Sequence, residues 1–215
     1  MKKTSLILIF ILAIGFILRI YRLEELVSFD IDQERTAWAA KRILVDKRPT
    51  LIGMETGYGG ILMGPGYYYL FAIPYLLLKM DPVGAPIFAV TLSVLTTFLI
   101  FIVGRNLFGS RVGLLASLIY AISSYLVQFD RMVSSANLVM MISLFVLLAL
   151  WAIKEEKKWG IYLLSFSLGF GLHNHFSLAF LLPIALFALL FVIPKPKIPR
   201  RSLVFSSVIF FLLLL

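Results

Sequence analysis

The sequence predicts an all-α integral membrane protein, a polytopic helical bundle of about seven spans with a long first outer loop carrying juxtamembrane helices. Three observations predict it. Of the 215 residues, 61% are hydrophobic and only 14% are charged, against roughly 45–50% and 25% in an ordinary globular domain. Mean hydropathy is +0.99, a surplus that a chain of this size cannot hide from water, so its solvent is lipid. Second, the apolar residues fall in runs close to the roughly 17–25 needed to cross a bilayer. Third, the 20 Lys and Arg behind the formal charge of +9 sit in short clusters between those runs, as cytoplasmic loops and anionic headgroups select. That clustering makes the lipid bilayer, and no nucleic acid, the expected partner of the charge. The absence of cysteine excludes a disulfide framework, a thiolate metal site and a cysteine nucleophile.

Cutting the chain at charges and Gly/Pro clusters leaves apolar segments at 5–18 (extendable to Tyr21), 83–104, 112–128, 137–153, 159–172, 176–193 and 202–215. Lys2 and Lys3 precede the first, as in a signal peptide. No small-residue cleavage site follows it, only Arg19, Ile20, Tyr21 and Arg22, so it reads as a retained anchor. The last ends in an unbroken Leu run with no polar anchor. Residues 1–215 are therefore expected to form a single transmembrane domain, the N-terminal portion of a longer protein.

Segment 66–78 is short and carries Pro74, and topology arbitrates its reading. If it does not span, a cytoplasmic N-terminus puts Arg105 and Arg111, then Lys154, Lys157 and Lys158, then Lys195, Lys197, Arg200 and Arg201 all inside. If it spans, all three clusters flip outward. The positive-inside bias favours a juxtamembrane or re-entrant helix, which makes residues 22–82 one outer loop. In that loop, residues 33–47 suit a helix lying in the interface, with Thr36, Ala40, Ile43 and Leu44 on one side and Arg35, Arg42 and Asp46 on the other. Gly- and Pro-dense turn chemistry follows at 49–66.

With sides assigned, four polar groups share the outer face: Asp30, Asp32, Glu34 and Arg35; Glu55 with the Gly-rich turn ahead of Tyr67, Tyr68 and Tyr69; Asp130 and Arg131; and His173, Asn174 and His175. Together they supply carboxylates, cations and hydrogen-bonding groups to one membrane surface. Each also has a structural reading. Asp30 or Asp32 could cap the interfacial helix, Asp30 with Gln33 as a capping box. Asp130 and Arg131 could be a solvated helix end, and the tyrosines an interfacial belt. The histidines are pressed against the apolar phase by Leu172 and Phe176, where ionisable groups usually have a task. Two histidines two apart, without a third ligand, do not make a metal site.

The order of short motifs resembles a family. An N-terminal anchor is followed by FDIDQERTAWAAKRIL (29–44), TLIG (50–53), GG (59–60), GPGYYYL (64–70), RNLFGSRVG (105–113) and FDR (129–131) ahead of Asn137. This arrangement is similar to the dolichyl-phosphate-mannose protein mannosyltransferase-like branch of the GT-C glycosyltransferases, which use polyprenyl-phosphate sugars, over about residues 7–190. The resemblance implies a catalytic aspartate at Asp32, with Asp30 as second choice. It aligns Gly64 and Pro65 with the step before the aromatic run, and Arg131 and Asn137 with donor-binding positions. Here Asp130 stands where relatives have Ser, and Ser134, Ser135 and Ala136 replace most of a Trp-Asn-Pro-Asn-like stretch. His173 and His175 fall where relatives place basic residues facing the lipid phosphate.

The chemistry fits the pattern independently. A sugar on a polyprenyl phosphate arrives at the membrane surface, so catalytic groups belong at helix mouths on one face. Transfer needs a carboxylate to take the acceptor proton and cations for the leaving phosphate. The carboxylate loop, with Asp32 as the residue the resemblance implies, supplies the first; Arg35, Arg131, His173 and His175 supply the second. Glu55, Tyr67, Tyr68 and Asn137 complete the expected substrate-binding set. The residues name no cofactor, and the acidic loop leaves room for a divalent cation to share the cation role. The expectation is an inverting membrane glycosyltransferase that moves a sugar, hexosyl or pentosyl, from a polyprenyl-phosphate donor to an acceptor hydroxyl of unassigned identity at the outer face. The alternative is a transporter or flippase subunit. Transporters place broken helices and ionisable groups near the bilayer midplane, and the spans between 83 and 153 carry no charge at their centres.

Overall fold

A segment dissolved in lipid must satisfy its own peptide groups, and helix formation does so within the segment. The computed structural model describes residues 2–27, 30–56, 59–193 and 199–213. Phe29 of the acidic motif, Lys195 and Lys197 of the third basic cluster, and Leu214 and Leu215 lie outside them. The described chain is 76% helical and contains no strand, only one isolated antiparallel bridge, Glu55 to Leu62. Three helices are long and apolar enough to cross a membrane: α1 (Lys2–Ile20), α5 (Gly84–Phe108) and α8 (Asn137–Lys154). With the shorter apolar helices they make an all-α, multi-pass membrane protein. The chain divides into two compact units, residues 1–51 with 67–137 and residues 52–66 with 138–215.

The first unit holds α1, α2 (Leu23–Leu26), α3 (Ile31–Leu44), α4 (Gly66–Leu77, from its second residue), α5, α6 (Ser110–Ile122) and α7 (Ser124–Phe129). Small residues bring the long helices together. A Cβ on Gly113 would stand 2.7 Å from the Phe101 carbonyl oxygen, and one on Gly104 2.8 Å from the Gly113 Cα, so α5 and α6 form a tight antiparallel hairpin. On the other side, Gly15 lets α1 reach Ala121 of α6, where a Cβ would sit 3.3 Å away. The last turn of α1 thus meets the last turn of α6, and α1 runs antiparallel to α5.

That direction settles the short segment. If α1 ends where α5 begins, residues 21–83 leave and return at the same end of the bundle, and α4 does not cross. At ~1.5 Å per residue, its 12 residues also fall well short of a hydrocarbon core of roughly 30 Å. Pro74 sits inside α4, at a place where the chain needs no full-length span.

Two expected spans are built differently from their outlines. Segment 112–128 breaks at Ser123, whose extended backbone (φ −63°, ψ 116°) separates α6 from α7. Segment 176–193 is a 3-10 turn (Phe176–Phe180), then α10 (Leu181–Phe187), then a π turn (Ala188–Val192). In the second unit α10 and the π turn pack with α8 and α9 (Trp159–Leu172) around Val146, Ala149, Ile153, Leu164 and Ala185, all buried, and α11 (Arg200–Leu212) lies along α9. Gly160 permits the α8–α9 approach, since a Cβ there would lie 2.8 Å from the Ala149 carbonyl oxygen. The Tyr162 hydroxyl bonds Ser202 at 3.0 Å, and Gly169 abuts Leu213, so α9 and α11 run parallel.

Candidate active site

The interfacial helix begins two residues earlier than its periodicity suggests, and its start defines the site. Asp30 is extended (φ −112°, ψ −176°) and its Oδ1 accepts from the backbone N–H groups of Asp32 at 3.0 Å and Gln33 at 3.2 Å. Asp30 is therefore the N-cap, as its spacing to Gln33 suggests. Asp32, in the first turn, is left with a carboxylate that does no capping. Its backbone is held at both ends, the N–H by Asp30 and the carbonyl by the Thr36 hydroxyl at 2.6 Å. The Ser134 hydroxyl donates to Asp32 Oδ2 at 3.2 Å, tying α3 to the turn after α7. Thr36 and Ala40 are fully buried, so the predicted inner face of α3 is real. Arg35 is exposed one turn from Asp32.

The aromatic run continues this surface within the same unit. Tyr67 is buried beside Thr36, and burial pushes its hydroxyl far above the ordinary tyrosine range, with Thr36 opposing and Asp32 adding to the shift. Tyr68 is half-buried; burial raises it, Arg35 opposes, and Asp32 raises it further. Tyr67 also packs against Phe71, the rings tilted by 37° with centroids 4.6 Å apart. These tyrosines thus stay neutral donors beside Asp32 and Arg35.

Asp130 and Arg131 are not a solvated helix end: only 4% and 8% of their surfaces are exposed. Asp130 pairs with Arg19, which is fully buried at the end of α1. Arg19 Nε and Nη2 donate to Asp130 Oδ2 at 2.9 and 2.8 Å. Its remaining donors reach the carbonyls of Gly15, Ala121 and Tyr120 at 3.1, 2.8 and 3.2 Å, so every guanidinium N–H is matched. Ser93 donates to Asp130 Oδ2 at 2.7 Å and Tyr120 to Oδ1 at 3.2 Å. Arg131 bonds the carbonyl oxygens of Leu18, Arg19 and Tyr21 at 2.6, 3.1 and 3.1 Å, satisfying orphan acceptors at the C-terminus of α1. Asn137 donates to the carbonyls of Phe129 and Met132 at 3.2 and 3.0 Å. Sequence reasoning missed Arg19, whose one available signal is a cation lodged inside the end of an apolar helix.

The other candidates lie in the second unit. Glu55 Oε1 accepts from the Gly60 N–H at 3.3 Å, closing a turn in which Gly60 has φ 84°. His173 Nδ1 accepts from the Gly66 N–H at 3.3 Å, and its Nε2 bonds the Leu213 carbonyl. Both ring nitrogens are thus engaged by backbone. Gly64 must be glycine here, because a Cβ would overlap the imidazole. His175 caps the 3-10 turn through Nδ1, which accepts from the Ser177 N–H at 3.2 Å and bonds its hydroxyl at 2.7 Å. The Asn174 amide bonds the Phe170 carbonyl. Among the described residues no group of three His, Asp or Glu is placed to hold a metal ion.

Residues 63–215 match the family model described as dolichyl-phosphate-mannose-protein mannosyltransferase. The matched stretch begins after α3 and takes in Tyr67, Tyr68, Arg131, Asn137, His173 and His175. No curated protein and no solved structure matches the chain.

Proposed function

Since the chain belongs to the dolichyl-phosphate-mannose-protein mannosyltransferase family, and is thereby a membrane glycosyltransferase using polyprenyl-phosphate sugars, we propose that it moves a hexose to an acceptor hydroxyl with Asp32 as general base. In that reaction the acceptor oxygen bonds the anomeric carbon as the carbon–oxygen bond to phosphate breaks. The proton passes to the Asp32 carboxylate, and the polyprenyl phosphate leaves with the electron pair. A single in-line displacement inverts the anomeric centre.

The observation that carries this reading is the division of labour at the start of α3. Asp30 caps, so the Asp32 carboxylate is available, presented at a bundle end and steadied by Ser134. Arg35, exposed one turn on, is suited to the leaving phosphate, with the neutral Tyr68 beside it. We assign Arg131 and Asn137 a positioning role, because their hydrogen bonds hold the α1 end and the 129–134 turn that carries Ser134. In the second unit, Glu55 and His173 hold the 59–66 stretch through the N–H groups of Gly60 and Gly66.

Three experiments test this. Purified full-length protein in proteoliposomes should transfer label from polyprenyl-phosphate mannose and not from a nucleotide-linked mannose; use of the nucleotide donor alone would remove the reading. Arg35→Ala should lose charge-assisted hydrogen bonds worth roughly 1.5–3 kcal/mol, seen as about a ten- to hundredfold rise in donor Kd, with Lys restoring part. An unchanged Kd would return Arg35 to the solvated face of α3. The proposed outer face rests on the basic clusters, and labelling of single cysteines has no background because the chain has none. Arg48→Cys and Lys79→Cys should react with an impermeant reagent from outside and Ser110→Cys should not; the reverse pattern would put the site on the cytoplasmic face.

A further inference from the structure

The first unit contains a cavity of about 250 Å³ that reaches α3 one residue beyond Asp32 and that the proposed chemistry does not use. Gln33, the following residue in α3, lines it. Its side chain is 97% buried, and among the described residues neither its amide nitrogen nor its amide oxygen has a hydrogen-bond partner. An amide buried with both ends unmet costs free energy. Such groups call for a ligand or water.

The walls narrow the choice. Tyr75, Val83, Pro86 and Val133 give an apolar lining with one aromatic ring, while Glu24 and Asp81 also line the cavity and are exposed to solvent. Two carboxylates repel a phosphate, so this is not where the donor's anionic group sits. They do accept hydrogen bonds, as the Gln33 oxygen does, and the Gln33 NH₂ donates. A ligand that both donates and accepts, is not anionic, and has an apolar face for Tyr75 matches this set. We propose that the cavity holds the acceptor headgroup, a hydroxyl-rich, non-anionic unit of monosaccharide size, delivered beside Asp32. The inference rests on Asp32 as the base.

Gln33→Leu separates a ligand site from a structural amide. The leucine keeps the volume and removes a polar group with no protein partner, so thermal stability should hold or rise. A structural role predicts that it falls. Binding of octyl α-mannoside to the full-length protein, followed by titration of intrinsic fluorescence, should weaken tenfold or more in Gln33→Leu and in the cavity-filling Val83→Trp. Octyl phosphate and N-acetylserine amide should bind neither variant nor wild type at comparable concentration. Equal glycoside binding by wild type and Gln33→Leu overturns the proposal, as does preference for the serine amide, which would make the acceptor a peptide. Donor Kd, measured alongside, tells the failures apart: loss of donor binding in wild type removes the transferase reading, whereas intact donor binding with no glycoside binding removes only this acceptor site.

Discussion

Asp32→Asn is expected to slow glycosyl transfer by on the order of 10²–10⁴-fold, with folding and donor affinity near wild type. Asparagine keeps the size of the side chain, and its Oδ1 still accepts from Ser134. The backbone restraints on residue 32 come from Asp30 and Thr36 and are indifferent to the change. Only the capacity to take a proton is lost. Asp30→Ala should do the opposite, costing about 1 kcal/mol of stability through the lost cap with a far smaller effect on rate. Transfer abolished by Asp30→Asn but retained by Asp32→Asn would move the base to Asp30, since asparagine still caps.

Asp130→Ala is expected to destabilise the fold by about 3–5 kcal/mol, because it strands Arg19 as a buried charge. That cation is completely enclosed and matched donor by donor, so no water replaces the missing carboxylate. Arg19→Ala should do comparable damage by orphaning Asp130 together with its Ser93 and Tyr120 donors. The double variant Arg19→Met with Asp130→Leu should recover much of the loss, since a buried pair exchanged for apolar residues of similar volume is often neutral or better. Thermal unfolding of the purified protein reads all three. Single variants that melt with wild type would mean that the pair does not hold the ends of α1 and α7 together.

Much of the fold was legible because lipid imposes a simple rule: apolar runs become helices. The cap at Asp30 was legible for a similar reason, being a local hydrogen bond three residues long. Breaks inside apolar runs were not. Ser123 interrupts an apolar stretch with no Gly or Pro to announce it, and the π turn at Ala188–Val192 leaves no periodic trace. The Arg19–Asp130 pair was hidden because its members stand 111 residues apart; sequence shows two charges at two helix ends, and only the parallel course of α1 and α6 brings them together. Gln33 was hidden more deeply. Beside charged residues on an interfacial helix it reads as surface, and its burial depends on α4 and α5 closing over it.

Whether Asp32 takes the acceptor proton is decided most directly by single-turnover transfer from labelled polyprenyl-phosphate mannose in wild type and Asp32→Asn, across hydroxyl acceptors of graded acidity. A general base matters most where the hydroxyl is least acidic. The deficit of Asp32→Asn should be greatest for an unactivated alcohol and shrink steadily for fluorinated analogues, while donor Kd stays constant. A deficit of the same size for every acceptor, or no deficit at all, would contradict Asp32 as the base.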